Sequence, residues 1–594
     1  MTGPAFLLTA VLFALSLVAA AAQPAKVPET EAAPKAGPGQ AQGLAVDAKP
    51  GTDTTGAAAT ATEPAPQPPR TLAAPPAEQA YRAKVRAHIA TLLANGPSAD
   101  EVRLLKEALK AKSAAAAQTL ADPVARKLAE WQALRSGLGE PAELMRFPAA
   151  NPAWPDAQLL QRRAEEQVFA KGGNSEEIKA FFKGREPATG AGWAALASAH
   201  QAEGDEASAR RHASRAWTDE EMSATFESGF LDRFGKLLAP ADHRRRLDRI
   251  LVDRLRFAAE RRDRAAIARR VIPQLPEGER KAAEARLAVF LKDKGAAKLL
   301  AALPADSSPP ADWPLAFARA VHHLDANRLE DAAKILTSLP DDADKLVSPD
   351  DWWLARREAA FDALTAGKTA LAYDLVKTAG PLSVNPLKEQ AHMAGWMALR
   401  LLSKPGVALA HFETALKAAD GPLSRARSAY WTGRTLEALG RLPEAKARYT
   451  LAMRDPDTFH ALLSRQKVVG GPRTDLNIAP PALPTADEAA RFIALDAVRA
   501  AVLARKAGLD RNIVIGLFAA LRNHLKTEGE LALLAELAAS LGDPQTSLRV
   551  GKAAIARGLN LLLYAYPIDP FPEYDPIRPP PETALLLAVT RQET

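Results

Sequence analysis

The sequence predicts an all-α solenoid of stacked helical hairpins, and three observations carry that expectation. Apolar residues recur at three- and four-residue spacing from about Ala77 onward, as in Val102, Leu105 and Leu109, or Leu247, Ile250, Leu251 and Leu255. Val and Ile nowhere alternate with polar residues over a strand's length, and no Asn-Gly or Asp-Gly hairpin turn occurs. Aromatic residues make up only 6% of a chain rich in alanine, which suits thin cores between paired helices better than a β-sandwich or barrel.

Taken in order, the chain opens with an apolar run, Ala5 to Ala22, around Phe6-Leu7-Leu8-Thr9-Ala10-Val11-Leu12-Phe13-Ala14-Leu15. Residues 1–22 read as a secretory signal peptide cut near Ala22, with a membrane anchor as the alternative because Met1-Thr2-Gly3-Pro4 lacks the usual basic residue. The expected product is soluble and extracytoplasmic. Residues 23–76 hold eleven prolines, no aromatic residue and no isoleucine. Such a segment buries too little apolar surface to offset its ordering entropy, so it is expected to be a disordered Pro/Ala-rich linker.

Residues 77–470 carry the repeats. A turn-forming residue is followed five positions later by a small one, then by packing positions four and three further on. The series runs Gly204, Ala209, Ala213, Ala216; Asn327, Ala332, Leu336, Leu339; Gly367, Ala372, Val376, Ala379; and Gly440, Ala445, Tyr449, Ala452. A looser copy is Gly542, Ser547, Gly551, Ala554. The pattern fits the turn and second helix of a TPR-like (tetratricopeptide) unit, in which the turn wants positive φ and close helix approach wants a small side chain. Forty positions separate Ala332 from Ala372 but 37 separate Ala408 from Ala445, so the superhelix is expected to be irregular. Residues 471–487, opened by Gly470-Gly471-Pro472, form a loop; 488–563 form a further helical block; 564–581 form a Pro-rich connector; and 582–594 start one more helix.

Chemistry is sparse. With no cysteine, zinc fingers, iron-sulfur clusters, thiol catalysis and disulfides are excluded. No Gly-x-Ser-x-Gly, P-loop, dinucleotide glycine pattern or His-Glu-x-x-His occurs, and nothing calls for a cofactor or a metal. His322 and His323 are adjacent and lie about 100° apart on a helix, so they read as surface or interfacial histidines and not as a metal pair. The net charge of +7 is small for 594 residues. Eleven arginines between His243 and Arg270 interleave with Asp242, Asp248, Asp253, Glu260 and Asp263, which points to a solvated, salt-bridged helix pair and no nucleic acid. Trp154, Trp352, Trp353, Trp396 and Trp431 read as packing knobs before sugar-stacking platforms.

Six stretches in order resemble the soluble lytic murein transglycosylase family: Leu128-Ala-Glu-Trp-Gln-Ala-Leu-Arg135, Phe147-Pro-Ala-Ala-Asn-Pro-Ala-Trp-Pro155, Arg162-Arg-Ala-Glu-Glu166, Pro240-Ala-Asp-His-Arg244, Trp352-Trp-Leu-Ala-Arg-Arg357 and Ser424-Arg-Ala-Arg-Ser-Ala-Tyr-Trp-Thr-Gly-Arg434. Tyr566-Pro567 and Leu585-Leu-Leu-Ala-Val-Thr-Arg-Gln-Glu-Thr594 resemble that family's entry into its lysozyme-like domain. The resemblance implies a U-shaped or ring-like superhelical domain over 77–470, a helical linker domain over 488–563, and a transglycosylase domain begun at 582–594 and cut short at its first helix. It implies that Glu593 is the catalytic acid/base, with Thr594 where the family usually has serine. It also implies a periplasmic lytic transglycosylase acting on peptidoglycan glycan strands in cell-wall turnover, with cell-wall synthesis or remodelling proteins as further partners. The chain by itself is expected to be inactive. The alternative is a non-catalytic periplasmic helical-repeat scaffold that binds glycan strands or proteins.

Overall fold

In the computed structural model, residues 74–593 are described, apart from 95–96, 112–113, 306, 308–309, 471–479 and 569–581. The signal peptide, nearly all of the linker and most of the Pro-rich connector lie outside the described residues. Within them the chain is helix after helix with no strand, from Pro76–His88 to Thr583–Glu593.

Local chemistry starts and stops these helices. Asp122, Thr189, Asp205, Ser223, Asp312, Thr458 and Asp543 each accept a backbone N–H of the first helical turn through the side chain. Thr485 with Glu488 and Thr527 with Glu530 close reciprocal capping boxes. At the hairpin turns, the five repeat residues Gly204, Asn327, Gly367, Gly440 and Gly542 all have positive φ, between 55° and 76°. Each is therefore placed where only glycine or asparagine bends the chain cheaply. The small residues that follow are sealed between helices: Ala209, Ala332 and Ala372 have no exposed surface. At Gly433 a Cβ would stand 2.6 Å from the Tyr449 ring, so the second helix of that hairpin lies against a bare backbone.

A solenoid has no single core, and the apolar clusters are correspondingly serial. One spans Trp193 to Phe290, a second Val252 to Met397, and smaller ones follow around Phe412, Tyr430 and Ala452. Trp352 is buried against Trp313 and Phe317, with ring centroids 6.0 and 4.9 Å away, and its indole N–H donates to the Leu346 carbonyl at 3.0 Å. Trp131 and Trp154 likewise pack edge to face at 5.9 Å. The tryptophans read as packing knobs are core residues here, with Trp396 and Trp431 half-buried.

The largest cluster joins the two ends of the described chain. It combines Tyr81 to Ala164 with Ala489 to Tyr564. Polar contacts bind the same seam: Tyr81 donates to the Ala482 carbonyl at 3.2 Å, Lys506 to the Leu93 carbonyl at 2.5 Å, and Lys127 pairs with Asp496. Arg86 donates twice to Glu536, at 3.0 and 2.6 Å. The N-terminal helices thus share one core with the helices after 485.

Candidate functional site

The last described helix, Thr583–Glu593, docks on a corner built by the two helices before it. Helix Pro544–Ala556 presents Gly551 to the short helix Leu562–Ala565, where an added Cβ would lie 2.6 Å from the Ala565 nitrogen and the Tyr564 carbonyl carbon. That approach sets Tyr566 at the corner. Its phenol donates to Asp457 at 3.4 Å, and burial pushes the pKa of both groups up. Over the Tyr566 ring, 4.0 Å from its centroid, lies the Arg591 guanidinium. Arg591 Nε donates to the Ala565 carbonyl at 2.8 Å, and Lys552 donates to the Arg591 carbonyl at 3.0 Å, capping the end of the helix.

Glu593 stands two residues beyond Arg591, about 200° round the helix, and is exposed. Among the described residues it has no ion-pair or hydrogen-bond partner. Leu585 and Val589, one helical turn apart, are 56% and 53% exposed, so this helix also carries an uncovered apolar stripe. Of the Arg-Gln-Glu-Thr motif, the arginine is anchored and the glutamate is not; Thr594 lies outside the described residues.

The arginine-rich stretch folds into helices Pro240–Leu251 and Ala258–Val271. It is a helix pair, as expected, but the arginines take their carboxylates mainly from other helices: Arg244 pairs with Glu279, Arg249 with Asp219, Arg264 with Glu221, and Arg270 with Glu227. Nor is the pair wholly solvated. Arg246 is buried, donates to the Trp217 and Glu220 carbonyls at 2.5 and 3.2 Å, and lies 4.3 Å from the Trp217 ring centroid. Buried Asp248 meets Arg286 at 2.6 Å. Arg246 and Asp248 border a cleft of about 580 Å³ in which burial, with Asp351 nearby, raises the Asp253 carboxyl to about 6. His322 and His323 are half-buried neighbours on helix Trp313–Asp325 with centroids 6.3 Å apart.

The other quoted stretches organise packing. Glu165 is buried and accepts from the Ala188 N–H at 2.9 Å and the Thr189 hydroxyl at 2.6 Å, locking the entry to helix Gly190–Ala202. Arg356 is buried and donates to the Leu375 carbonyl at 2.6 Å. Arg425 forks onto Asp455 at 2.9 and 2.5 Å. No helix among the described residues is long and apolar enough to cross a membrane.

By its own architecture the described chain is an all-α helical-hairpin solenoid. No family model matches it, and no curated protein matches it. Among solved structures, a 70-kDa soluble lytic transglycosylase in complex with bulgecin A aligns at 16% identity over 84% of this chain and 78% of that chain, with a TM-score of 0.48. The 70-kDa soluble lytic transglycosylase Slt70 from Escherichia coli aligns at 17% identity over 80% of this chain and 73% of that chain, with a TM-score of 0.47. The P58(IPK) TPR domain aligns at 14% identity over 68% of this chain and 98% of that chain, with a TM-score of 0.22.

Proposed function

We propose that this chain is the scaffold and first catalytic helix of a periplasmic peptidoglycan lytic transglycosylase, with Glu593 as its acid/base. The observation that carries the reading is the docking of Arg591 on Tyr566 and Ala565, which anchors the motif while leaving Glu593 free on the opposite side of the helix. In this reaction one carboxyl group suffices. Protonated Glu593 gives its proton to the glycosidic oxygen between N-acetylmuramic acid and N-acetylglucosamine. The resulting carboxylate then takes the proton of the muramoyl C6 hydroxyl, whose oxygen closes on the anomeric carbon to leave a 1,6-anhydromuramoyl end. Proton donation near neutral pH requires walls that desolvate the carboxyl group. Leu585 and Val589 offer an apolar seat for such walls on the same helix.

The test is release of anhydromuropeptides from purified sacculi. The 594-residue chain is expected to release none, because Glu593 is exposed. A fusion that continues from Thr594 into the remainder of a lysozyme-like transglycosylase domain releases them, and Glu593→Gln abolishes the release. A fusion indifferent to Glu593→Gln refutes the assignment. The serial helical-hairpin packing of the described residues supports a second reading, a non-catalytic scaffold for glycan strands or proteins; sacculus binding by the 594-residue chain, with an inactive fusion, would select it.

A further inference from the structure

Helices Val384–Arg400, Pro422–Ala438 and Phe459–Val469 pack side by side, and their polar residues meet on a shared face. His392 lies edge to face with Trp431 at 6.1 Å, and His460 lies 5.5 Å from the Tyr430 ring. Arg427 sits one turn before Trp431 on the middle helix. The neighbouring arginines are satisfied: Arg425 by Asp455, and Arg434 by the Tyr430 hydroxyl at 3.0 Å and Glu437 at 3.3 Å. Arg427 is half-buried and has no ion pair or hydrogen bond among the described residues.

The nearest source of compensation is already taken. Glu389 is the carboxylate whose charge reaches Arg427. It accepts the Trp353 indole N–H at 3.0 Å and Arg357 at 2.7 and 2.9 Å. The two histidines add no negative charge. Burial holds His392 well below the usual histidine range and takes His460 down to about 4, with the Arg427 charge contributing to both. Both rings are neutral at pH 7, and His392 Nδ1 is buried without a partner. A partly desolvated cation with no anion is costly to the fold by itself. A ligand that brings one negative charge removes that cost.

We propose that Arg427, flanked by His392, His460 and Trp431, is a binding site for the terminal carboxylate of a peptide. The guanidinium fork matches a planar carboxylate, which would take two parallel hydrogen bonds from it. One uncompensated positive charge balances one carboxylate, whereas a phosphate monoester brings about −1.5 to −2 and leaves excess charge half-buried. Next to the arginine, Trp431 packs against Phe412 and His392, and Glu389, Arg357 and Trp353 are bonded to one another, so what this face offers a ligand is the guanidinium fork, which a chain-terminal carboxylate would take up. This inference does not rest on the glycan-cleaving reading.

Isothermal titration of the full chain at pH 7.5 tests it with three probes: N-acetyl-trialanine free acid, its C-terminal amide, and inorganic phosphate. The free acid is expected to bind at least tenfold more tightly than the amide or phosphate. Arg427→Met is expected to weaken the acid at least tenfold while leaving the thermal midpoint unchanged or raised, because it removes an unpaired charge and keeps the volume. Arg427→Lys, which retains the charge without the fork, should fall between the two. The proposal is overturned if acid and amide bind alike, if phosphate binds more tightly than the acid, or if the acid gives no heat at about 10 mM. It is also overturned if Arg427→Met binds as wild type does, or if that variant lowers the thermal midpoint, which would make the arginine structural.

Discussion

Removing Arg86 should loosen the seam between the two ends of the described chain more than neutralising its partner does. The Glu536 side chain has no exposed surface, whereas Arg86 is 55% exposed. Arg86 supplies two donors to one carboxylate oxygen, and among the described residues the other receives only the Tyr564 hydroxyl at 3.3 Å. Arg86→Ala therefore strands a sealed carboxylate, and breaking a buried pair in that way costs about 3 to 5 kcal/mol. The wet side of this pair places the estimate near the bottom of the range, at about 3 kcal/mol. Glu536→Gln leaves a guanidinium that turns into water, for a cost of about 1 to 2 kcal/mol.

The loss should be local. Helix Pro76–His88 keeps the Tyr81 bond to Ala482 and the stacking of Arg82 on Tyr564, centroid distance 5.0 Å. Hydrogen exchange followed by mass spectrometry on peptides covering 76–93 reads its opening directly. About 3 kcal/mol is about two decades in the opening equilibrium, so exchange there should accelerate roughly a hundredfold in Arg86→Ala and roughly tenfold in Glu536→Gln. A change below about threefold in Arg86→Ala, or a larger effect from Glu536→Gln, would refute the asymmetry on which the reasoning rests.

Two further outcomes are expected. Gly551→Ala would push a methyl into the Ala565 and Tyr564 backbone, which cannot rotate away as a side chain could; it should cost about 1 to 3 kcal/mol in urea denaturation and expose 583–593 to protease. A wild-type midpoint would mean that the corner has slack. The second outcome concerns pH: burial, with the Arg427 charge adding to it, depresses His460 to about 4 in the folded state, below its unfolded value, so the unfolded chain binds the extra proton. The associated stability is complete above the unfolded histidine pKa and is lost as pH falls towards about 4, by on the order of 2 kcal/mol, and His460→Gln should flatten the thermal midpoint across that window.

Much of the fold was legible because its determinants are local. Gly204, Asn327, Gly367, Gly440 and Gly542 mark hairpin turns by a backbone requirement that few residues meet, and the small residues five positions on mark where helices touch. The partners of charged groups were not legible in the same way. The acidic residues interleaved between His243 and Arg270 look like the natural counterions of its arginines, yet Arg244, Arg249, Arg264 and Arg270 pair with carboxylates outside the stretch, and Arg246 donates to backbone carbonyls. Which helix lies beside which depends on the twist accumulated over irregular repeats, and sequence spacing does not carry that sum. The seam from Lys127 to Asp496 spans 369 positions for the same reason.

The terminal motif shows where local legibility stops being chemical legibility. Arg591 and Glu593 are neighbours in sequence and belong to one recognisable pattern, but they face different surroundings. The arginine is held by a ring and a carbonyl that come from residues 565 and 566, so its role is satisfied by what the described chain already contains. A carboxylic acid earns a catalytic role only from groups that surround it, since its proton affinity and its hold on substrate both come from those neighbours. Glu593 is exposed beside an uncovered Leu585–Val589 stripe. The same helix therefore has a finished side and an open side. Activity in this reading depends on covering the open side, which is why the sacculus assay pairs Glu593→Gln with a chain extended beyond Thr594.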